Sequence, residues 1–162
     1  MTSGNQNFLR IAKMGIDKII AVVKNVKKVC KDYVVILDIG SFYYCYGKDS
    51  IIISYIGKYK INIIQENIYT CSFPKAAYNK VISRLEDKKI NYIVLDRRNN
   101  YTEEEKSNNK NLNNYQKYYE LGKQEMGVRL RIQKIMKYLE KNLDDKELII
   151  DIERIIDERR KI

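Results

Sequence analysis

Residues Tyr33-Val-Val-Ile-Leu-Asp-Ile39 form a nearly unbroken apolar run that stops at Gly40. A short β-branched run with no wet side suits a strand covered on both faces. Such a strand needs partners packed above and below it, which points the chain to an α/β fold with a mixed sheet. Tyr92-Ile-Val-Leu-Asp96 repeats the pattern further along. Between these runs, Phe42–Tyr46 reads as a second strand closed by Gly47. Ile51–Ile56, Tyr59–Ile64 and Ile68–Phe73 are β-branched or aromatic and are also expected as strands. The single proline, Pro74, stands where a helix should begin. Ala76, Ala77, Val81, Ile82 and Leu85 give that helix one apolar face.

Both flanks change period. From residue 7 to 31 the apolar positions Leu9, Ala12, Ile16, Ile19, Val23, Val26 and Cys30 alternate gaps of three and four, the seam of a long amphipathic helix. Lys13, Lys18, Lys24, Lys27 and Lys28 fill its other faces, most of them as a solvated surface. Gly15 marks a candidate kink, since Gly costs a helix about 1 kcal/mol relative to Ala. Residues 99–114 are polar and Asn-rich and read as a linker. A long helical pattern follows, with Val128, Ile132, Ile135, Met136, Leu139 and Leu143 on one stripe. Asp144 with Glu147 makes a capping box for a last helix carrying Leu148, Ile152, Ile155 and Ile156. These two helices are expected as a hairpin with apolar inner faces, the N-terminal helix being a candidate third member. A seam left unfilled would call for a partner or an oligomer. The chain thus divides into an N-terminal helix (1–31), an α/β domain (32–98), a linker (99–114) and a C-terminal helical hairpin (115–162).

Charge narrows the partners. Lys and Arg number 31 against 21 Asp and Glu, a formal net charge of +10 over 162 residues. That balance favours polyanions, nucleic acid above all, through counterion release. A compositional excess of Lys, Asn and Ile is the rival source of the charge. There is no His, so chemistry that needs an imidazole base is excluded. Cys30, Cys45 and Cys71 are widely spaced with no CxxC pair, so a Cys/His zinc site is not expected. The first seven residues lack the charged-then-apolar order of a signal peptide, and no apolar run reaches the length of a membrane span. A cytoplasmic protein with reduced thiols, no cofactor and no membrane contact is the expectation.

The stretch Gly40-Ser41-Phe42-Tyr43-Tyr44-Cys45-Tyr46-Gly47-Lys48-Asp49-Ser50 resembles the first motif of MutS domain I, the mismatch-reading domain. There a hydrophobic strand leads into Gly-Asp-Phe-Tyr-Glu-Leu-Phe/Tyr-Gly-x-Asp-Ala. Gly40, Phe42, Tyr43, Tyr46, Gly47 and Asp49 match it. Phe73-Pro74, an amphipathic helix to Lys88 and then Asn91-Tyr92-Ile-Val are similar to the family's second motif. The resemblance covers residues 32–98. It implies a domain that enters the minor groove at a mismatch, with a Phe wedged beside the mispaired base and a Glu hydrogen-bonded to it. The Phe position is Phe42 and the Glu position is Tyr44, a departure that removes the polar reading of the base. Tyr44 is left to stack or to offer a phenol, which widens the expected ligands to distorted, single-stranded or RNA-containing structures. Lys48, Lys58, Lys60, Lys75, Arg97 and Arg98 are the candidate phosphate contacts, and Tyr43 is expected in the core. No GxxxxGK[ST] loop is present, so the ATPase that accompanies this domain in MutS is missing from this chain. A role in DNA repair through binding, as an accessory to a partner enzyme, is the implied function.

Two rival readings stand beside it. Ile36-Leu-Asp-Ile-Gly-Ser41 is similar to the first strand of RNase H-like nucleases and actin-type ATPases, and Asp96 ends another strand, where such nucleases hold a second carboxylate. Paired carboxylates there could hold Mg²⁺ for phosphodiester cleavage, with Glu66 and Glu86 as candidate third ligands. A strand-end Asp is otherwise a turn or cap residue. The third reading is a helical adaptor or oligomerisation protein whose basic charge is incidental.

Overall fold

The computed structural model describes residues 3–65, 67–107 and 112–161, with side chains described from Gly15 onward. The side chains of Leu9, Ala12 and Lys13, and all of Glu66, lie outside the described residues. Residues up to Lys123 form one compact unit and residues 124–162 a second.

The first unit is built on a mixed sheet of six strands. They are β1 (Val34–Ile39), β2 (Phe42–Tyr46), β3 (Ile61–Ile64), β4 (Ile68–Pro74), β5 (Tyr92–Asp96) and β6 (Thr102–Lys106). In space they run β3-β4-β2-β1-β5-β6. Strand β1 is central, antiparallel to β2 and parallel to β5, with Asp38 and Asp96 as register partners. Because side chains alternate along a strand, Val34 and Ile36 face one side and Val35 and Leu37 the other, all four buried. The first side packs with Cys45, Phe73, Tyr92 and Val94 against helices α2 (Lys48–Gly57) and α3 (Tyr78–Asp87). The second packs with Tyr46, Ile93 and Leu95 against Ile19, Val23 and Cys30 of helix α1 (Ser3–Val29). Helix α1 therefore covers the sheet instead of joining a terminal bundle, because its seam meets the apolar face that β1 and β5 would otherwise leave wet. It also runs unbroken through Gly15.

Three local expectations are corrected. Residues Ile51–Ile56 belong to α2, a helix, not a strand. Gly47 turns the chain at φ 60, and Ile51, Ile52, Ile53 and Ile56 are all buried between the sheet and neighbouring helices. Burial of four isoleucines, at roughly 1.5–3 kcal/mol each, overrides the few tenths that β-branching costs a helix. Helix α4 (Tyr115–Lys141) approaches α2 at Gly122, where a Cβ would lie 2.8 Å from Ile51 Cγ2 and 2.9 Å from Ile51 O. Within the expected linker, Thr102–Lys106 is an edge strand on β5, reached through Asn100 and Tyr101 at positive φ. Its Glu103–Glu105 run carries no apolar signal, and charge on an edge blocks further strand addition. Finally, α5 (Lys146–Arg160) is capped by Asp145, which accepts from Leu148 N at 3.0 Å, one residue later than the predicted Asp144.

In the second unit α4 continues to Lys141 and a short turn leads into α5. The apolar faces are not filled: Val128 is 54 % exposed, Ile135 56 % and Ile155 59 %, and no residue of α5 is buried.

The aromatic core makes the fold sensitive to alkali. Burial, with smaller contributions from neighbouring groups, pushes the Tyr46 phenol up to about 12. Burial alone pushes the Cys71 thiol up to about 12. Tyr78, Tyr92 and Tyr115 are also raised, by burial first and by nearby carboxylates. The unfolded chain releases these protons from about pH 9 for Cys and 10 for Tyr, whereas the folded chain holds them. Stability from these groups is complete below pH 9 and is lost as pH rises towards 12. Melting curves should show a flat midpoint to pH 9 and a steep fall above 10. A midpoint unchanged at pH 11 would contradict this.

Candidate nucleic-acid interface

The β1–β2 hairpin builds the site. Its two-residue turn, Gly40-Ser41, places Gly40 at φ +67, the mirror-image turn that matches strand twist and favours Gly. Phe42 follows as the first residue of β2, paired with Ile39 on one side and Pro74 on the other. Alternation then divides the aromatic run. Tyr43 turns towards α3 and stacks on Phe73 (5.4 Å between ring centres) and Tyr78 (4.7 Å). Phe42, Tyr44 and Tyr46 share the opposite face as a ladder, with ring centres 6.4 and 6.5 Å apart. Exposure falls along it: Phe42 is 43 % exposed, Tyr44 half-buried, Tyr46 buried under the α1 layer. A large apolar ring standing in solvent beside a second aromatic can stack on a nucleic-acid base.

The cations divide between two regions. Lys75, Arg97 and Arg98 collect at the end of the sheet where Phe42 lies. Lys75 N donates to Ser41 O at 3.2 Å, and Arg97 N to Asp38 O at 3.2 Å. Lys48 and Lys58 sit elsewhere, on α2 and at its left-handed exit, over the rings of Tyr119 (4.9 Å) and Tyr55 (4.7 Å). Lys60 is exposed just before edge strand β3. These three are not brought to Phe42 by any contact described.

Lys75 is not a bare cation. Its ammonium pairs with the Asp38 carboxylate at 2.8 Å and lies over the Tyr43 ring. That hydrogen bond and charge raise its pKa, so it stays charged but half-neutralised. Asp38 and Asp96, the carboxylates of the nuclease reading, do come together on adjacent strands. Asp96 accepts from Arg98 N at 2.8 Å, a turn-residue geometry. Glu104 of β6 is a further neighbour, its carboxyl raised first by desolvation and then by Asp38 and Asp96. It went unseen in the sequence because its segment reads as linker. Glu86 accepts from Tyr92 OH at 3.2 Å on α3. Among the described residues no group of three or more His, Cys, Asp or Glu is arranged to hold a metal ion. The acids, with Lys75 paired to Asp38 and lying over the Tyr43 ring, are on the Tyr43 face, opposite to Phe42.

No described helix is long and apolar enough to cross a membrane. The family model for MutS domain I matches residues 18–125. The match takes in the sheet-covering half of α1, the whole sheet and the first turns of α4, and thus extends past the motif-bearing residues 32–98 on both sides. No curated protein matches the chain.

Proposed function

Because the chain belongs to the MutS domain I family, we propose that it binds distorted or structured nucleic acid, performs no catalytic step itself and acts through a partner. The carrying observation is Phe42. It stands 43 % exposed at the tip of the hairpin while its neighbour Tyr43 is held in the aromatic core. A Phe wedge trades the cost of unstacking, a few kcal/mol per step, for a bent duplex and more contact. The trade is best where stacking is already weak, at mismatches, bulges and junctions. With Tyr44 in the place of the family's Glu, discrimination rests on stacking and shape more than on hydrogen bonds to one base. Arg97 and Arg98 at that end of the sheet supply phosphate contacts, while Lys75, held by Asp38, adds less.

A salt-titrated binding assay tests this on matched duplex, mismatched duplex, single-stranded DNA and RNA, with Mg²⁺ present and products examined. The expected result is tighter binding to a distorted ligand that survives moderate salt, with every strand intact. Cleavage that disappears in Asp38→Asn would establish the nuclease instead. Absence of binding would leave the basic charge incidental.

A further inference from the structure

We infer that α2, the exit of α3 and the first turns of α4 form a second nucleic-acid surface, which takes a stretch of phosphate backbone on the face of the sheet away from Phe42. The inference rests on the nucleic-acid reading proposed above and adds a second place of contact to it. Tyrosine rings mark the surface. Tyr118 and Tyr119 stand on the first turns of α4, and Tyr55 stands on α2 with its ring centre 6.2 Å from that of Tyr118. All of them pack against the core layer that holds Phe73, on the side opposite to Tyr44. Lysines from separate parts of the chain converge on these rings. Lys48 and Lys123 lie over Tyr119 at 4.9 and 5.3 Å from its centre. Lys88 and Lys117 lie over Tyr118 at 5.2 and 5.8 Å, and Lys58 over Tyr55 at 4.7 Å.

Charge identifies the occupant. Two ammoniums gathered on one ring repel each other, and the local carboxylates do not cancel that repulsion. Glu120 takes Lys123 at 2.9 Å. Among the described residues Lys48, Lys88 and Lys117 have no carboxylate partner. Asp49, next to Lys48 in the chain, is turned into the core, where Lys27 holds it. A polyanion that brings phosphates to such a patch relieves the repulsion and releases the counterions it carries. The lysine stems already rest on rings, so binding orders them at less cost than lysines free in solvent. Phosphate backbone fits better than an anionic lipid surface, because the patch offers ammoniums over half-buried rings and no aliphatic anchor for a bilayer. Contacts of this kind read no sequence. Phe42 therefore sets which ligand is preferred, while the patch strengthens binding to any stretch of backbone that reaches it.

Binding of the full chain to a mismatched duplex and its matched counterpart, titrated with salt, tests the inference. The combined variant Lys48→Gln, Lys88→Gln, Lys117→Gln removes these charges without touching a buried side chain. Its plot of log affinity against log salt should be shallower by about three, one for each lysine lost. The ratio between the two duplexes and the circular dichroism should stay as in the wild type. A control with Lys134→Gln, Lys137→Gln and Lys141→Gln, at exposed positions of the second unit, loses the same charge and should keep the wild-type slope. A wild type that binds, with a slope unchanged in the patch variant or reduced equally in the control, overturns the inference and leaves the Phe42 reading standing. Vesicles rich in phosphatidylserine form a second arm. Capture of the wild type but not of the patch variant, with the nucleic-acid slope unmoved, would assign the patch to a membrane and overturn the inference as well. A wild type that binds no nucleic acid removes the proposed function and this surface together.

Discussion

Asp49→Ala should lower the stability of the sheet unit by about 3–5 kcal/mol, the usual consequence of removing one partner from a buried ion pair. Asp49 is fully buried at the start of α2. One carboxylate oxygen takes Lys27 Nζ at 2.6 Å and Tyr115 OH at 2.6 Å, and the other takes Val35 N at 2.9 Å. Those partners come from α1, α4 and β1, so one side chain ties four elements together. Burial pushes its carboxyl up, against the pull of Lys27 and of the hydrogen bonds. Alanine would leave an ammonium, a phenol and a strand N–H facing a void, each costing its own desolvation. Asp49→Asn keeps an acceptor and should fall between wild type and alanine. Urea titration followed by circular dichroism measures the difference. A loss below about 1 kcal/mol in Asp49→Ala would show that the network closes without its centre.

Phe42→Ala should behave in the opposite way, sparing the fold and damaging recognition. A side chain 43 % exposed at a strand tip contributes little packing, and substitutions at such positions shift stability by about 0.5 kcal/mol or less. Loss of one stacking aromatic is worth about 1–3 kcal/mol per base, or roughly a 5- to 150-fold weaker complex. The salt slope should not change, because no phosphate contact is lost. An unaltered affinity for every ligand, with the fold intact, would remove Phe42 from the site.

These two residues show how one motif divides its labour. In Gly40–Ser50 the first half turns Phe42 outward at the hairpin tip. The second half, through Gly47 and Asp49, fastens α2, α1 and α4 to the sheet.

The sequence made some of this legible and hid the rest for physical reasons. β1 and β5 announce themselves because a strand buried on both faces has no polar position except at its end. Helix α2 does not, since Ile51-Ile52-Ile53 carries the same signal in a buried helix as in a buried strand, and only the packed surroundings decide. Strand β6 is silent because an edge strand made of Glu and Lys buries nothing. The site was partly readable: the Phe42 position follows from the motif, but its exposure does not, as Phe at a strand end is commonly core. The pairing of Lys75 with Asp38, 37 residues apart in sequence, and the approach of Glu104 to Asp38 and Asp96 depend on sheet order, which no local pattern encodes.

The central claim is selectivity for weakened stacking, and the ratio of dissociation constants for a mismatched duplex and its matched counterpart tests it most directly. Measured at about 150 mM salt, where surface charge is screened beyond roughly 8 Å, the wild type should favour the mismatched duplex by tenfold or so, about the worth of one stacked ring. Phe42→Ala should bring that ratio close to one. Equal affinities in the wild type, or a preference that survives Phe42→Ala intact, would contradict the account.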